Sequence, residues 1–275
     1  MPHAERITPE LLRSWPLPQP DEGGDKASRG QVRVIGGAAA TPGALLLSGI
    51  AALRVGAGKL SITTVVETAT SLAVAVPEAR VDGVASEQGM LLRCDVEPGA
   101  DAYVVGPGIL DPGELVACVL PACADAGLVI DAVALHDLPE GLADRTVLTP
   151  NLKELRSLAG RDDSVSALAR DVAAARQAVV VTQGWVAAPD GTIWHDDSGS
   201  VALATSGSGD VLAGVVGGLL ARGAEPAQAG CWGHYLHGQA GRRKSVGTVG
   251  LLARELLEEL PHVLALLERP QGEAG

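Results

Sequence analysis

The sequence predicts an α/β fold with a central, mostly parallel sheet and helices on both faces. Three observations carry this. Short apolar runs alternate with helical patterns along most of the chain, the rhythm of β-turn-α-β units. The runs are apolar throughout, as expected of strands covered on both faces. Several of them end in turn chemistry: Gly36-Gly37, Gly106-Pro107-Gly108, Thr149-Pro150-Asn151 and Gln183-Gly184. In an open parallel sheet, ligands bind beyond the carboxyl ends of the strands. These four turns are therefore expected to line one crevice.

The elements follow in order. Residues 1–30 read as an N-terminal helix, "TPELLRSW", and a Pro- and Gly-rich connector; residues 31–275 read as a single domain. "QVRVI" is a strand over 31–35, "TPGALLLSGIAALRVGAG" a helix with Pro42 near its start, and "KLSITTVV" the next strand. "DAYVVGPGI" is a strand running into a glycine turn, and "GELVACVLPACADAG" a helix. "LVIDAVAL" is a strand with an acid, and "RTVLTPNLKELRSLAG" a strand, a turn and a helix. "SVSALARDVAAARQA" is a helix and "VVVTQG" a strand. "WVAAPDGTIWHDD" is a hairpin around Asp190-Gly191. Three helices close the chain, beginning in "GSGD", "EPAQAG" and "TVGLLARE".

Composition excludes several classes. The formal net charge is −12 and aromatic residues make up 2% of the chain, with no Phe. General affinity for nucleic acid or anionic membrane is not expected. No run is long and apolar enough to span a membrane. The four cysteines form no C-x-x-C pair or zinc-finger spacing. They read as buried thiols, and the protein is expected to be soluble and cytoplasmic.

The stretch "ATSGSGDVLAGVVGGLLARG" carries the chemistry. Amides at a helix N-terminus are unpaired and partially positive. Gly207, Ser208 and Gly209 can offer them to a phosphate without bulky side chains in the way. An acid in the first turn, Asp210, is then placed to take a proton from a hydroxyl attacking a phosphoryl group. The alternative is that Asp210 only caps its helix. Neither this stretch nor "VIGGAAATPG" matches a P-loop or a G-x-G-x-x-G dinucleotide fingerprint.

From about Lys26 to Glu268 the chain resembles the ADP-dependent NAD(P)H-hydrate dehydratases of the ribokinase-like superfamily. The resemblance rests on "VRVIGGAAATPGALLLSGIAALRVGAGKLSI", "VVGPGI", "VIDAVAL", "VLTPNLKEL", "PDG" and "TSGSGDVLAGVVGGLLARG", in that order. It implies a stand-alone dehydratase domain without the epimerase domain that often accompanies it. It also implies Mg2+, ADP or ATP as co-substrate, and a homo-oligomer, a tetramer. By this resemblance Ala44, Gly108, Asn151 and Asp210 would contact the hydrated dinucleotide, with Asp210 the catalytic base. Gln183, Gly184, Gly207, Ser208 and Gly209 would hold the adenine nucleotide. No residue is assigned as a resident metal ligand. The chain departs from the family pattern at Gln183, where a Lys is usual, at Asn151 for His, and at Val133 for a second acid beside Asp131. The departures bear on the nucleotide grip, and weaker nucleotide binding is expected.

Two other readings stay open: a small-molecule hydroxyl kinase of the same fold, and a non-catalytic nucleotide-binding protein. Among the remaining residues, His234 and His237 read as packed or solvated rather than metal ligands. Trp185 and Trp194 read as hairpin packing, and Glu154 as a cap near the Thr-Pro-Asn turn.

Overall fold

The computed structural model describes residues 4–19, 23, 28–199, 201–246 and 250–268. A short strand β1 (Glu5–Arg6) and helix α1 (Pro9–Ser14) come first. Thr8 caps α1, its hydroxyl accepting from the Leu11 N–H. Part of the connector that follows, residues 20–22 and 24–27, lies outside the described residues. Then come β2 (Gln31–Ile35), α2 (Gly43–Arg54), β3 (Lys59–Val65), α3 (Val66–Ala75), β4 (Ala79–Val84) and β5 (Ala102–Val105). They are followed by α4 (Leu115–Val119), β6 (Gly127–Ile130), β7 (Thr146–Leu148), α5 (Leu152–Ala159), α6 (Val165–Arg176) and β8 (Val179–Thr182). A hairpin of β9 (Trp185–Ala187) and β10 (Ile193–His195) precedes three helices, α7 (Ser208–Ala221), α8 (Pro226–Lys244) and α9 (Ala253–Glu268).

The described strands form one sheet in the order β1-β10-β9-β8-β7-β6-β5-β2-β3-β4. All pairs are parallel except β8–β9 and β9–β10. Strand alternation sends side chains to two apolar layers. Val32, Val34, Val104, Val129 and Val179 pack toward α2, α7, α8 and α9. Tyr103, Val105, Leu128, Ile130 and Val180 pack toward α4, α5 and α6. With so few aromatics, helices must approach one another closely to exclude water. A Cβ on Gly214 of α7 would fall 2.1 Å from the Ser48 carbonyl oxygen of α2, so this crossing requires glycine.

The structure differs from the sequence expectation in four places. The helix expected over "GELVACVLPACADAG" is only the five residues of α4, continued by a 3-10 turn over Leu120–Cys123. Pro121 has no N–H to extend the helical ladder. The strand expected over "LVIDAVAL" ends at Ile130, and Ala132–His136 is a 3-10 turn. Helix α3 and strand β4 were not anticipated; "ARVDGV" is half-exposed and carries Asp82 and Gly83, which mask its pattern. Strand β1 extends the sheet along β10 with only two residues, too short to leave a periodicity.

Candidate active site

The strand order reverses at β2, which pairs in parallel with β3 on one side and β5 on the other. Such a switch point opens a crevice at the strands' carboxyl ends. The two glycine turns there are tied together: the Gly37 N–H donates to the Pro107 carbonyl at 2.8 Å, and the Thr41 hydroxyl to the Gly108 carbonyl. Helix α7 starts above this point. Gly207, at φ 87, is its N-cap, and no side chain caps it. Among the described residues no backbone carbonyl accepts the N–H of Gly209 or Asp210. Two amides at the positive end of a helix are therefore open to an acceptor.

The turns do not ring a single pocket. Ala44, Gly108, Gly207 and Asp210 line one cavity of about 600 Å3 together with Thr41 and Arg254. Asn151, Gln183, Gly184, Ser208 and Gly209 line a second, of about 500 Å3, with His234 and His237. The first turn of α7 is shared, Gly207 and Asp210 facing one cavity and Ser208 and Gly209 the other. Arg254, in the first turn of α9, was not anticipated; among the described residues it is the one Lys or Arg lining the first cavity. A third cavity, of about 570 Å3, lies at the amino ends of β5, β6 and β7, near Asp101, Ala126 and Arg145. Its Arg145 is already engaged by Glu225 and the Ala224 carbonyl.

Asp210 does not cap its helix, and among the described residues its carboxylate accepts no hydrogen bond. Burial lifts its pKa to about 6. Behind it stands Asp131, at the end of β6, where the Thr149 hydroxyl donates to Oδ1 at 2.8 Å. Burial pushes the Asp131 carboxyl up to about 7; the Thr149 bond works against this, and the charges of Asp210 and Glu154 add to it. The neighbouring Ala132 is held at φ 53, a left-handed backbone that is costly for alanine.

Asp131 gives the fold a definite pH dependence. Its folded pKa is raised above the 3.8 of a free carboxyl. Its stabilising contribution is therefore complete below about pH 4 and is lost as pH rises through 7. Asp131→Asn keeps the acceptor for Thr149 but cannot ionise. Relative to the parent, this variant is expected to gain about 1 kcal/mol or more between pH 4 and 8, a few degrees in Tm. Melting curves of both proteins across that range test this; a constant difference would show that Asp131 does not titrate with folding.

The second cavity is held by side chains that spacing alone could not connect. Asn151 caps α5 in a capping box: its Oδ1 accepts from the N–H of Lys153 and Glu154, and Glu154 Oε2 accepts from the Asn151 N–H. Only the Asn151 side-chain NH2 is left for a ligand. The Gly184 N–H donates to His234 Nε2 at 3.1 Å, so this amide is already engaged. His234 Nδ1 lies 2.8 Å from Asp196 Oδ2, an acid the sequence reading did not connect to it. The Ser208 hydroxyl is 2.9 Å from His237 Nε2. Burial, aided by His234, depresses the His237 pKa to about 4, so this imidazole is neutral. The tryptophans pack within the protein: Trp194 bonds Glu5 and lies 6.1 Å from Trp15, and Trp185 packs against His195 at a 45° tilt.

The described residues contain no group of three His, Cys, Asp or Glu able to hold a metal ion. Asp210 stands beside the open amides, and Asp131 is close enough behind it for the two charges to interact. That donor set suits a Mg2+ carried largely by phosphate oxygens and water rather than by a protein cage. No helix among the described residues is long and apolar enough to cross a membrane. All four cysteines are free.

Comparison with known proteins places the chain in a family. The profile of the NAD(P)H-hydrate dehydratase family matches residues 32–262. An ADP-dependent (S)-NAD(P)H-hydrate dehydratase of Xanthomonas campestris pv. campestris is 42% identical, covering 98% of this chain and 99% of its own. The ADP/ATP-dependent NAD(P)H-hydrate dehydratase of Bacillus subtilis, co-crystallised with ATP/Mg2+, superimposes with a TM-score of 0.86 at 29% identity, over 98% of this chain and 100% of its own. A ribokinase-like superfamily protein of Enterococcus faecalis shares the fold, with a TM-score of 0.82 at 23% identity over 98% of both chains. The fold is ribokinase-like, and the chain belongs to the NAD(P)H-hydrate dehydratase family.

Proposed function

We propose that this protein returns hydrated NADH or NADPH to the parent cofactor, using the terminal phosphoryl group of ADP or ATP. The observation that carries the reading is the unpaired Asp210 carboxylate beside the open amides of α7, on the wall between two cavities. The first cavity takes the hydrated ring, with Ala44 and Gly108 at its floor. The second takes the adenine nucleotide, with the Gln183–Gly184 turn and Ser208 at its wall. Arg254 supplies a cation where an anionic dinucleotide enters.

The chemistry needs this arrangement. The hydrate carries a hydroxyl on C6, beside the ring nitrogen, and hydroxide is a poor leaving group. Asp210, ionised above about pH 6, takes the hydroxyl proton as the oxygen attacks the terminal phosphorus. The amides of Gly209 and Asp210 bind the charge on the transferring group. With ADP, AMP leaves. The ring nitrogen's lone pair then expels phosphate, and loss of the C5 proton restores the double bond. Mg2+ bound with the nucleotide would neutralise phosphate charge there, with Asp131 as the carboxylate that would help hold it while Asp210 serves as the base.

The test is recovery of the dihydronicotinamide absorbance from hydrated NADH and NADPH with ADP, ATP or no nucleotide, with inorganic phosphate measured alongside. Nucleotide-dependent recovery with one phosphate per turnover is expected. A stable phosphate ester in place of inorganic phosphate would instead identify a kinase.

Gln183 sets the expected nucleotide affinity. It lines the second cavity but carries no charge. Exchanging a neutral for a charge-assisted hydrogen bond is worth about 1–1.5 kcal/mol. Gln183→Lys is therefore expected to tighten ADP binding about tenfold, measured by titration calorimetry. Unchanged affinity would mean that the phosphates do not reach this turn.

A further inference from the structure

We propose that Asp196 and His234 form a positioning pair that holds the Gln183–Gly184 turn in the shape that receives the nucleotide. The inference rests on the reading that the second cavity is the nucleotide site. The two residues come from different elements: Asp196 follows β10, and His234 lies within α8. Both are buried. Their hydrogen bonds close a ring around the turn. The Gly184 N–H donates to His234 Nε2 at 3.1 Å, which leaves the ring proton on Nδ1. Nδ1–H donates to Asp196 Oδ2 at 2.8 Å. The Asp196 N–H returns to the Gly184 carbonyl at 2.9 Å. Both polar groups of the Gly184 backbone are thus fixed by one acid–imidazole pair.

The pair is itself held firmly. Ser198 donates to Asp196 twice, from its N–H at 2.8 Å and from its hydroxyl at 2.6 Å. Burial works against the Asp196 charge, but the bonds from His234 and Ser198 outweigh it and hold the carboxyl below the ordinary carboxylate range. Gly184 sits at φ 74, in a region that glycine enters and leaves at little cost. Backbone geometry alone therefore does not fix this peptide, and its orientation depends on these bonds. Burying a charged carboxylate against an imidazole is a costly way to stabilise a core, since apolar residues of similar size often serve as well. It is an effective way to aim a peptide. Here the peptide sits on the cavity wall beside Gln183, and the Thr182 hydroxyl ties the same strand end to the Pro150 carbonyl of the neighbouring turn.

The experiment compares the full-length parent with His234→Ala and His234→Gln. ADP affinity is measured by titration calorimetry, KM for ADP and for the hydrate by steady-state kinetics, and Tm by melting. His234→Ala is expected to weaken ADP about tenfold while the hydrate KM stays within twofold. His234→Gln can accept from Gly184 and donate to Asp196, and is expected to restore ADP affinity to within about threefold of the parent. ADP affinity unchanged in His234→Ala overturns the positioning pair, as does an equal rise in both KM values. If His234→Ala does not fold, His234→Gln decides alone: affinity within threefold supports the pair, and a loss of tenfold or more overturns it. A parent protein that binds no ADP at all overturns the nucleotide reading and the pair with it.

Discussion

Asp210→Asn is expected to lower turnover by about 10²–10⁴ while leaving the nucleotide bound. Asparagine has nearly the shape of aspartate, and no helix cap is lost because Asp210 caps nothing. What disappears is the base, and loss of general base catalysis costs about that range in rate. The parent's activity should rise with pH through about 6, because the base works only when ionised and burial sets its pKa there. The residual activity of the variant should lack that rise. Nucleotide affinity should hold or improve, since removing a negative charge near phosphates reduces repulsion. The measurements are single-turnover rates across pH 5–8 and ADP titrations. A variant that turns over at the parent's rate would leave Asp210 without a catalytic role. One that melts far below the parent would make it structural.

How much of this could be read from residues depends on whether a signal is local. The strand β2 over Gln31–Ile35, the hairpin at Asp190-Gly191 and the start of α7 each follow from a few neighbouring residues, and each lies where its pattern points. The capping box at Asn151 and Glu154 is local in the same way. The Asp196–His234 and Ser208–His237 contacts are not: 38 and 29 residues separate the partners, and only the packing of α8 brings them together. Arg254 reaches the first cavity because α9 returns to the start of α7, a path no periodicity encodes. The expectation of one crevice divided into two for a related reason. Turn chemistry shows which strand ends meet, but not that the first turn of α7 stands between them.

The fit of the first cavity makes a second large effect expected. Gly108→Ala should lower turnover on the hydrate about 100-fold or more, with nucleotide binding retained. Gly108 lies at φ 70, where a residue with a Cβ incurs about 1–2 kcal/mol. The added methyl would meet the Thr41 carbonyl oxygen at 2.6 Å and the Ala44 Cβ at 2.9 Å. Neither neighbour can yield freely: the Thr41 hydroxyl is bonded to Gly108 itself, and Ala44 is fixed in the first turn of α2. Relief must come from shifting the Gly106–Gly108 turn, and that turn bounds the hydrate cavity. Displacement of a reacting group by about 1 Å can cost about 100-fold in rate. The strain should also lower Tm by several degrees, at about 2–4 °C per kcal/mol for chains of roughly this size. The second cavity is lined by other turns, so ADP titration should return the parent's affinity. Loss of hydrate turnover together with loss of ADP binding would mean that the two cavities are one coupled site. Full activity in the alanine variant would mean that the hydrate does not bind against Gly108.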